Sequence, residues 1–153
     1  MTNMSNKKVE KTRTTFMMKY SVSINIKASP DKIWRLLTKA NEFPNWNSTV
    51  SSIEGKIALG EQLKIKVPVA PDRLFKVKVS EFIPNKSMVW RDGTAPMFQG
   101  IRTYVLTPNS DGTTHFSMRE TFRGLMLPMI AGYLPDFAPI FETYAADLQK
   151  AAE

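Results

Sequence analysis

Apolar and polar residues alternate over long stretches of this chain. Phe16, Met18, Tyr20, Val22, Ile24 and Ile26 share one parity, and Lys19, Ser21, Ser23, Asn25 and Lys27 share the other. A period of two over this length predicts a half-buried β-strand. The pattern breaks at Ser29-Pro30-Asp31-Lys32, a helix start. Ser29 can cap free backbone N–H groups, and Pro30 suits the first helical position, where its missing N–H costs nothing. Ile33, Trp34, Leu36 and Leu37 supply the apolar face of a short helix that Pro44 stops. Asn41 to Trp46 reads as a second short helical turn.

Alternation returns between residues 49 and 123. Leu63, Ile65 and Val67 interleave with Lys64 and Lys66, and Phe75, Val77 and Val79 with Lys76 and Lys78. Met88 and Trp90 share a parity, as do Phe98, Gly100, Arg102, Tyr104 and Leu106, then Thr114, Phe116, Met118, Glu120 and Phe122. The breaks carry turn chemistry: Gly55, Gly60, Pro68 to Asp72, Pro84-Asn85, Asp92-Gly93 and Pro108 to Gly112. One apolar and one polar face mark an antiparallel sheet covered on one side. The cover is the C-terminal segment, where Phe137, Ile140, Phe141, Tyr144 and Leu148 fall at helical spacing. The predicted fold class is α+β, with about seven strands, two short helices after strand 1 and one long C-terminal helix.

Length and charge narrow this picture. A chain of 153 residues predicts one domain. Residues 1–14 read as a disordered basic tail and residues 15–153 as the domain. The absence of cysteine excludes disulfides and thiolate chemistry, and one histidine, His115, excludes a multi-His metal site. No metal and no cofactor is expected. His115 falls on the outward parity beside a turn, which predicts a solvated side chain. The net charge of +7 allows weak contact with an anionic membrane surface. The exposed faces lack the aromatics interleaved with lysine that single-strand nucleic-acid binding needs, so no nucleic-acid partner is expected. No continuous apolar run suits a signal peptide or a membrane span, and a soluble, cytoplasmic protein is expected.

The order of elements resembles the helix-grip fold of START-like (SRPBCC) proteins. The residues that carry the resemblance are Ser29-Pro30 to Ile33-Trp34, Phe43-Pro44-Asn45-Trp46, Val79 to Pro84 with Met88 and Trp90, and Gly100 to Pro108. Asp111-Gly112-Thr113-Thr114, Glu120 and Gly124 complete it. The polyketide cyclase/dehydrase-like branch is the nearest in flavour. The resemblance implies a curved antiparallel sheet wrapped around the C-terminal helix, with a cavity between them for a small hydrophobic molecule.

Strand parity then says what lines such a cavity: Met88, Trp90, Phe98, Arg102, Tyr104, Met118, Glu120, Phe122, Phe137, Phe141 and Tyr144. Met97, Met126 and Met129 are expected nearby. Arg102 and Glu120 each occupy an apolar parity, where a charge is out of place. A hairpin centred near Asp111 pairs Arg102 with Glu120, Tyr104 with Met118 and Leu106 with Phe116. The facing charges admit three readings: a structural ion pair, a polar anchor for a ligand, or acid–base catalysis with Glu120 carrying the proton. The expected function is binding of a lipid, polyketide or isoprenoid-like molecule. One alternative is a cofactor-free cyclase/dehydrase-type enzyme using Glu120 and Arg102. Another is an accessory protein that docks through Lys64, Lys66, Lys76 and Lys78. The apolar segment Gly124 to Gly132 reads either as a portal over the cavity or as a packed helical turn.

Overall fold

A computed structural model describes residues 7–153. Eight strands form one antiparallel sheet in the order β1-β2-β8-β7-β6-β5-β4-β3. They run β1 Lys8–Arg13, β2 Met17–Ile26, β3 Ser52–Glu54, β4 Gln62–Lys66, β5 Phe75–Ile83, β6 Ser87–Thr94, β7 Phe98–Pro108 and β8 Thr114–Arg123. The helices are α1 Pro30–Thr38, α2 Phe43–Trp46, α3 Leu127–Ile130 and α4 Phe137–Ala152. No helix among the described residues is long and apolar enough to cross a membrane.

The α+β class and the long C-terminal helix agree with the sequence pattern; the strand count does not. Residues 8–13, placed by that pattern in a disordered tail, form β1 and pair with β2 from Lys8↔Ser23 to Arg13↔Met18. The sheet therefore has eight strands, and α1 and α2 follow strand 2. The expectation for residues 1–6 lies outside the described residues.

Local chemistry explains the boundaries. Ser29 Oγ accepts a hydrogen bond from Lys32 N at 3.2 Å, capping α1 behind Pro30. Asp136 caps α4 by accepting from Ala138 N. At the β7–β8 turn, Asp111 Oδ1 accepts from Thr113 N at 3.0 Å and Thr113 Oγ1 at 2.6 Å. Gly112 there takes a φ of 88°, open to glycine at little cost. This turn fixes the register of the longest hairpin, in which Leu106 faces Phe116, Tyr104 faces Met118 and Arg102 faces Glu120.

One apolar core lies between the inner sheet face and the helices. Tyr20 packs edge-on to Phe137 at 5.6 Å, and Phe116 stacks on Tyr144 at 6.4 Å, so α4 is held against β2 and β8 by aromatic pairs. Lys64, Lys66, Lys76 and Lys78 are all exposed on the opposite face, with Lys64 directly across from Lys76. His115 is half-buried on that side, its Nδ1 2.9 Å from Asn25 Oδ1.

Candidate functional site

A cavity of about 120 Å³ that opens to solvent separates the sheet from α4. An apolar cavity of ~150 Å³ is enough to hold a benzene ring. Nine of the eleven residues expected from parity line it: Trp90, Phe98, Arg102, Tyr104, Glu120, Phe122, Phe137, Phe141 and Tyr144. Met88 and Met118 do not. Both are fully buried in the core, further along their strands toward the hairpin end. Met97, Met126 and Met129 also stand outside the lining, and Met97 and Met129 are exposed. Parity assigns a face; the position along the strand decides whether a neighbour or empty space lies above it.

The ion pair is present. Arg102 Nε donates to Glu120 Oε1 at 2.7 Å. Glu120 is buried, and Arg102 keeps a fifth of its side-chain surface (20%) although its strand position points inward, so that surface faces the cavity. The guanidinium also lies 5.2 Å from the centre of the Phe141 ring. Burial pulls Arg102 down, but Glu120 and the two phenols outweigh it and hold its pKa above the ordinary value. Burial raises Glu120, with Arg102 pulling it partway back.

A second carboxylate stands beside this pair. Asp92, read from the sequence as a turn residue, lies at the end of β6 and lines the cavity. Burial raises its pKa, opposed by the Gly100 N–H and by Arg102 and Arg73. Gly100 explains how the carboxylates fit. A Cβ there would collide with Asp92 Oδ1 and stand 3.6 Å from Glu120 Oε2. Only glycine leaves this inward position free for both. Arg73 reaches the same cavity from the β4–β5 loop, its guanidinium 4.8 Å over the Phe75 ring. The charged lining residues are thus two acids and two bases among the described residues, and they cancel.

Three donors complete the site. Trp90 Nε1, Tyr104 Oη and Tyr144 Oη are buried; the indole N–H has no partner among the described residues, and the two phenols lie close enough to each other, and Tyr104 to Arg102, to interact. Trp90 packs edge-on to Tyr104 at 5.0 Å, and Tyr104 stacks on Tyr144 at 6.4 Å, so the three rings form one wall. Burial pushes both phenols up, Tyr144 well above its ordinary 10.0, so both keep their protons. An unpaired buried donor costs about 1–3 kcal/mol.

The mouth lies away from the segment Gly124 to Gly132. None of those nine residues lines the cavity, and Leu127 packs into the core. A groove lined by Ser48, Thr49, Pro68, Val69, Pro139, Ile140 and Thr143 shares Thr49, Val69 and Ile140 with the cavity. The opening therefore sits between the loop after α2, the β4–β5 loop and the first turns of α4. Ser48 is tied to α4 by two hydrogen bonds to Asp147 Oδ2, from N at 2.8 Å and Oγ at 2.7 Å. The sequence marks Pro68 to Asp72 as a turn, and nothing in its periodicity says that this turn overhangs the cavity.

A single antiparallel sheet packed on a long C-terminal helix, with a cavity between them, is the START-like helix-grip fold. A family model described as polyketide cyclase / dehydrase and lipid transport matches residues 17–153, and the chain belongs to that family. No protein of curated function matches it. Among similar solved structures, a START superfamily protein from Mycobacterium smegmatis is 16% identical with a TM-score of 0.65, covering 88% of this chain and 96% of that one. A hypothetical protein from Helicobacter pylori is 11% identical with a TM-score of 0.70, covering 87% and 86%. The di-domain ARO/CYC StfQ from the steffimycin biosynthetic pathway is 10% identical with a TM-score of 0.64, covering 90% of this chain and 50% of that one. At these identities the likeness is one of fold.

Proposed function

We propose that this protein binds a small, neutral, hydrophobic molecule carrying an oxygen acceptor, enclosed between the sheet and α4. The observation that carries the reading is a buried aromatic wall with three polar atoms on it, an unpartnered Trp90 indole N–H and the Tyr104 and Tyr144 hydroxyls, in a cavity whose formal charges cancel. A carbonyl or ether oxygen that enters between those rings gives them an acceptor. A carboxylate adds an uncompensated charge to a site already holding Asp92 and Glu120. The aromatic walls supply affinity at about 25 cal/mol per Å² of apolar surface removed from water. Arg102 spends Nε on Glu120, and the rest of its guanidinium stands beside the Tyr104 phenol, so both groups can meet the same oxygen.

Native mass spectrometry of freshly purified protein tests the reading. A stoichiometric neutral adduct with at least one oxygen is expected, reduced in Tyr104→Phe and Tyr144→Phe. An anionic adduct, or a mass that stays apo after exposure to lipid and polyketide extracts, would contradict it.

The pairing of Asp92 with Glu120 around Arg102 favours a second reading, a cofactor-free enzyme of the cyclase/dehydrase type. Glu120 would move a proton, and Arg102 would stabilise a developing oxyanion. Glu120→Gln separates the two. An enzyme loses turnover by about 10²–10⁴, whereas a carrier loses only some affinity.

A further inference from the structure

Five large apolar side chains are exposed at one end of the sheet: Phe16, Met97, Leu125, Met129 and Tyr133, the last two 71% and 84% exposed. They come from three segments far apart in sequence that backbone hydrogen bonds tie together. Gly124 N donates to Phe16 O at 3.1 Å, Leu125 N to Pro96 O at 3.0 Å and Met126 N to Met97 O at 2.9 Å. Gly124 makes the junction close, with a φ of 140° and no room for a Cβ against the Met97 carbonyl. Soluble domains scatter exposed apolar residues singly; a group assembled from three segments marks a contact surface.

The charges around the group identify the partner. Arg123 directly precedes Gly124 and faces Met17 and Gln99 across the sheet. Arg13 opens the turn that carries Phe16, and Lys19 lies two positions along β2 from Met17. The carboxylates three positions away in sequence are each paired elsewhere, Asp136 with Lys11 at 3.7 Å, Glu10 with Lys8 at 3.8 Å and Glu120 with Arg102 at 2.7 Å. An apolar tip ringed by cations suits an anionic bilayer: the side chains enter the acyl boundary and the cations meet the headgroups. The same ring disfavours a second copy of this chain, because in a symmetric contact it would meet itself.

We propose that this end of the sheet docks on anionic lipid membranes, with Leu125, Met129 and Tyr133 inserting and Arg13, Lys19 and Arg123 against the headgroups. The inference uses none of the cavity residues, so it stands independently of the ligand reading.

The test is co-sedimentation of the full chain with vesicles of phosphatidylcholine alone and with about a third phosphatidylglycerol, alongside sedimentation equilibrium without lipid. Binding is expected to the anionic vesicles, with a fall of on the order of tenfold in Leu125→Ser/Met129→Ser. Arg123→Glu should weaken it in low salt, and the difference should narrow as salt is added. These positions are exposed, so the variants should keep the parent melting temperature. Absence of binding to anionic vesicles, or binding that ignores both variants, would overturn the proposal. So would a dimer in solution that Leu125→Ser/Met129→Ser dissociates, since the occupant would then be a second copy.

Discussion

Arg102 and Glu120 occupy strand positions that otherwise hold Phe98, Tyr104, Phe116 and Phe122, and they do so directly across from one another. That pairing is legible in the amino-acid sequence, because a misplaced charge and a countable hairpin turn are both visible there. Removing one partner leaves the other buried and uncompensated. Arg102→Leu is expected to lower stability by about 3–5 kcal/mol in chemical denaturation, and the double change with Glu120→Leu to restore part of the loss. An unchanged midpoint would contradict the pair's structural weight. Asp92 is not legible in the same way: Asp92-Gly93 is strong turn chemistry, and only the approach of Gly100 turns that carboxylate into a cavity group. Its pH signature follows from burial. A folded pKa raised above the ordinary 3.8 makes its contribution most favourable at low pH. That contribution is lost as pH rises through the folded value. Asp92→Asn should therefore raise the melting temperature at pH 7, and the gain should shrink toward pH 4. A gain that grows on acidification would contradict the assignment.

At the scale of elements, period-two alternation identifies the strands that bury one face, and a helix cap marks α1. The pattern fails at β1, where only Val9 is apolar in six residues. An edge strand presents unpaired backbone to water and resists further pairing with charge, so its sequence looks like a disordered tail. Here it shields β2 and is tied to α4 by Lys7–Glu142 at 3.6 Å and Lys11–Asp136 at 3.7 Å. Exposed pairs of this kind contribute little each. Most of what β1 contributes is its ladder and the partial burial of Val9. Deleting residues 1–13 is expected to cost ~2 kcal/mol, or about 4–8 °C in a scanning calorimeter, and to promote association through the bared β2 edge. A truncated chain that melts as the parent does would show that β1 contributes nothing. The mouth is hidden from sequence reading for a related reason: the β4–β5 loop has turn residues and no period, and its place over the cavity depends on the curvature of the whole sheet.

For the molecule as a whole, the sheet supplies a rigid wall, α4 supplies the opposing one, and polar groups are concentrated where the two separate. The charges in that gap cancel, while its Trp90 indole N–H has no acceptor among the described residues. On the proposed reading, these two features favour a small neutral ligand with one oxygen acceptor. The direct comparison uses three ligands of one ring each: acetophenone, benzoate and ethylbenzene, titrated by calorimetry at pH 7 into the same preparation. Acetophenone should bind most tightly, by roughly tenfold or more over ethylbenzene, since one acceptor relieves a donor worth about 1–3 kcal/mol when unpaired. Benzoate should be weakest, its charge uncompensated beside Asp92 and Glu120. If benzoate instead binds best, Arg102 and Arg73 form an anion site; if none of the three binds, the space between sheet and helix is not a ligand site at all.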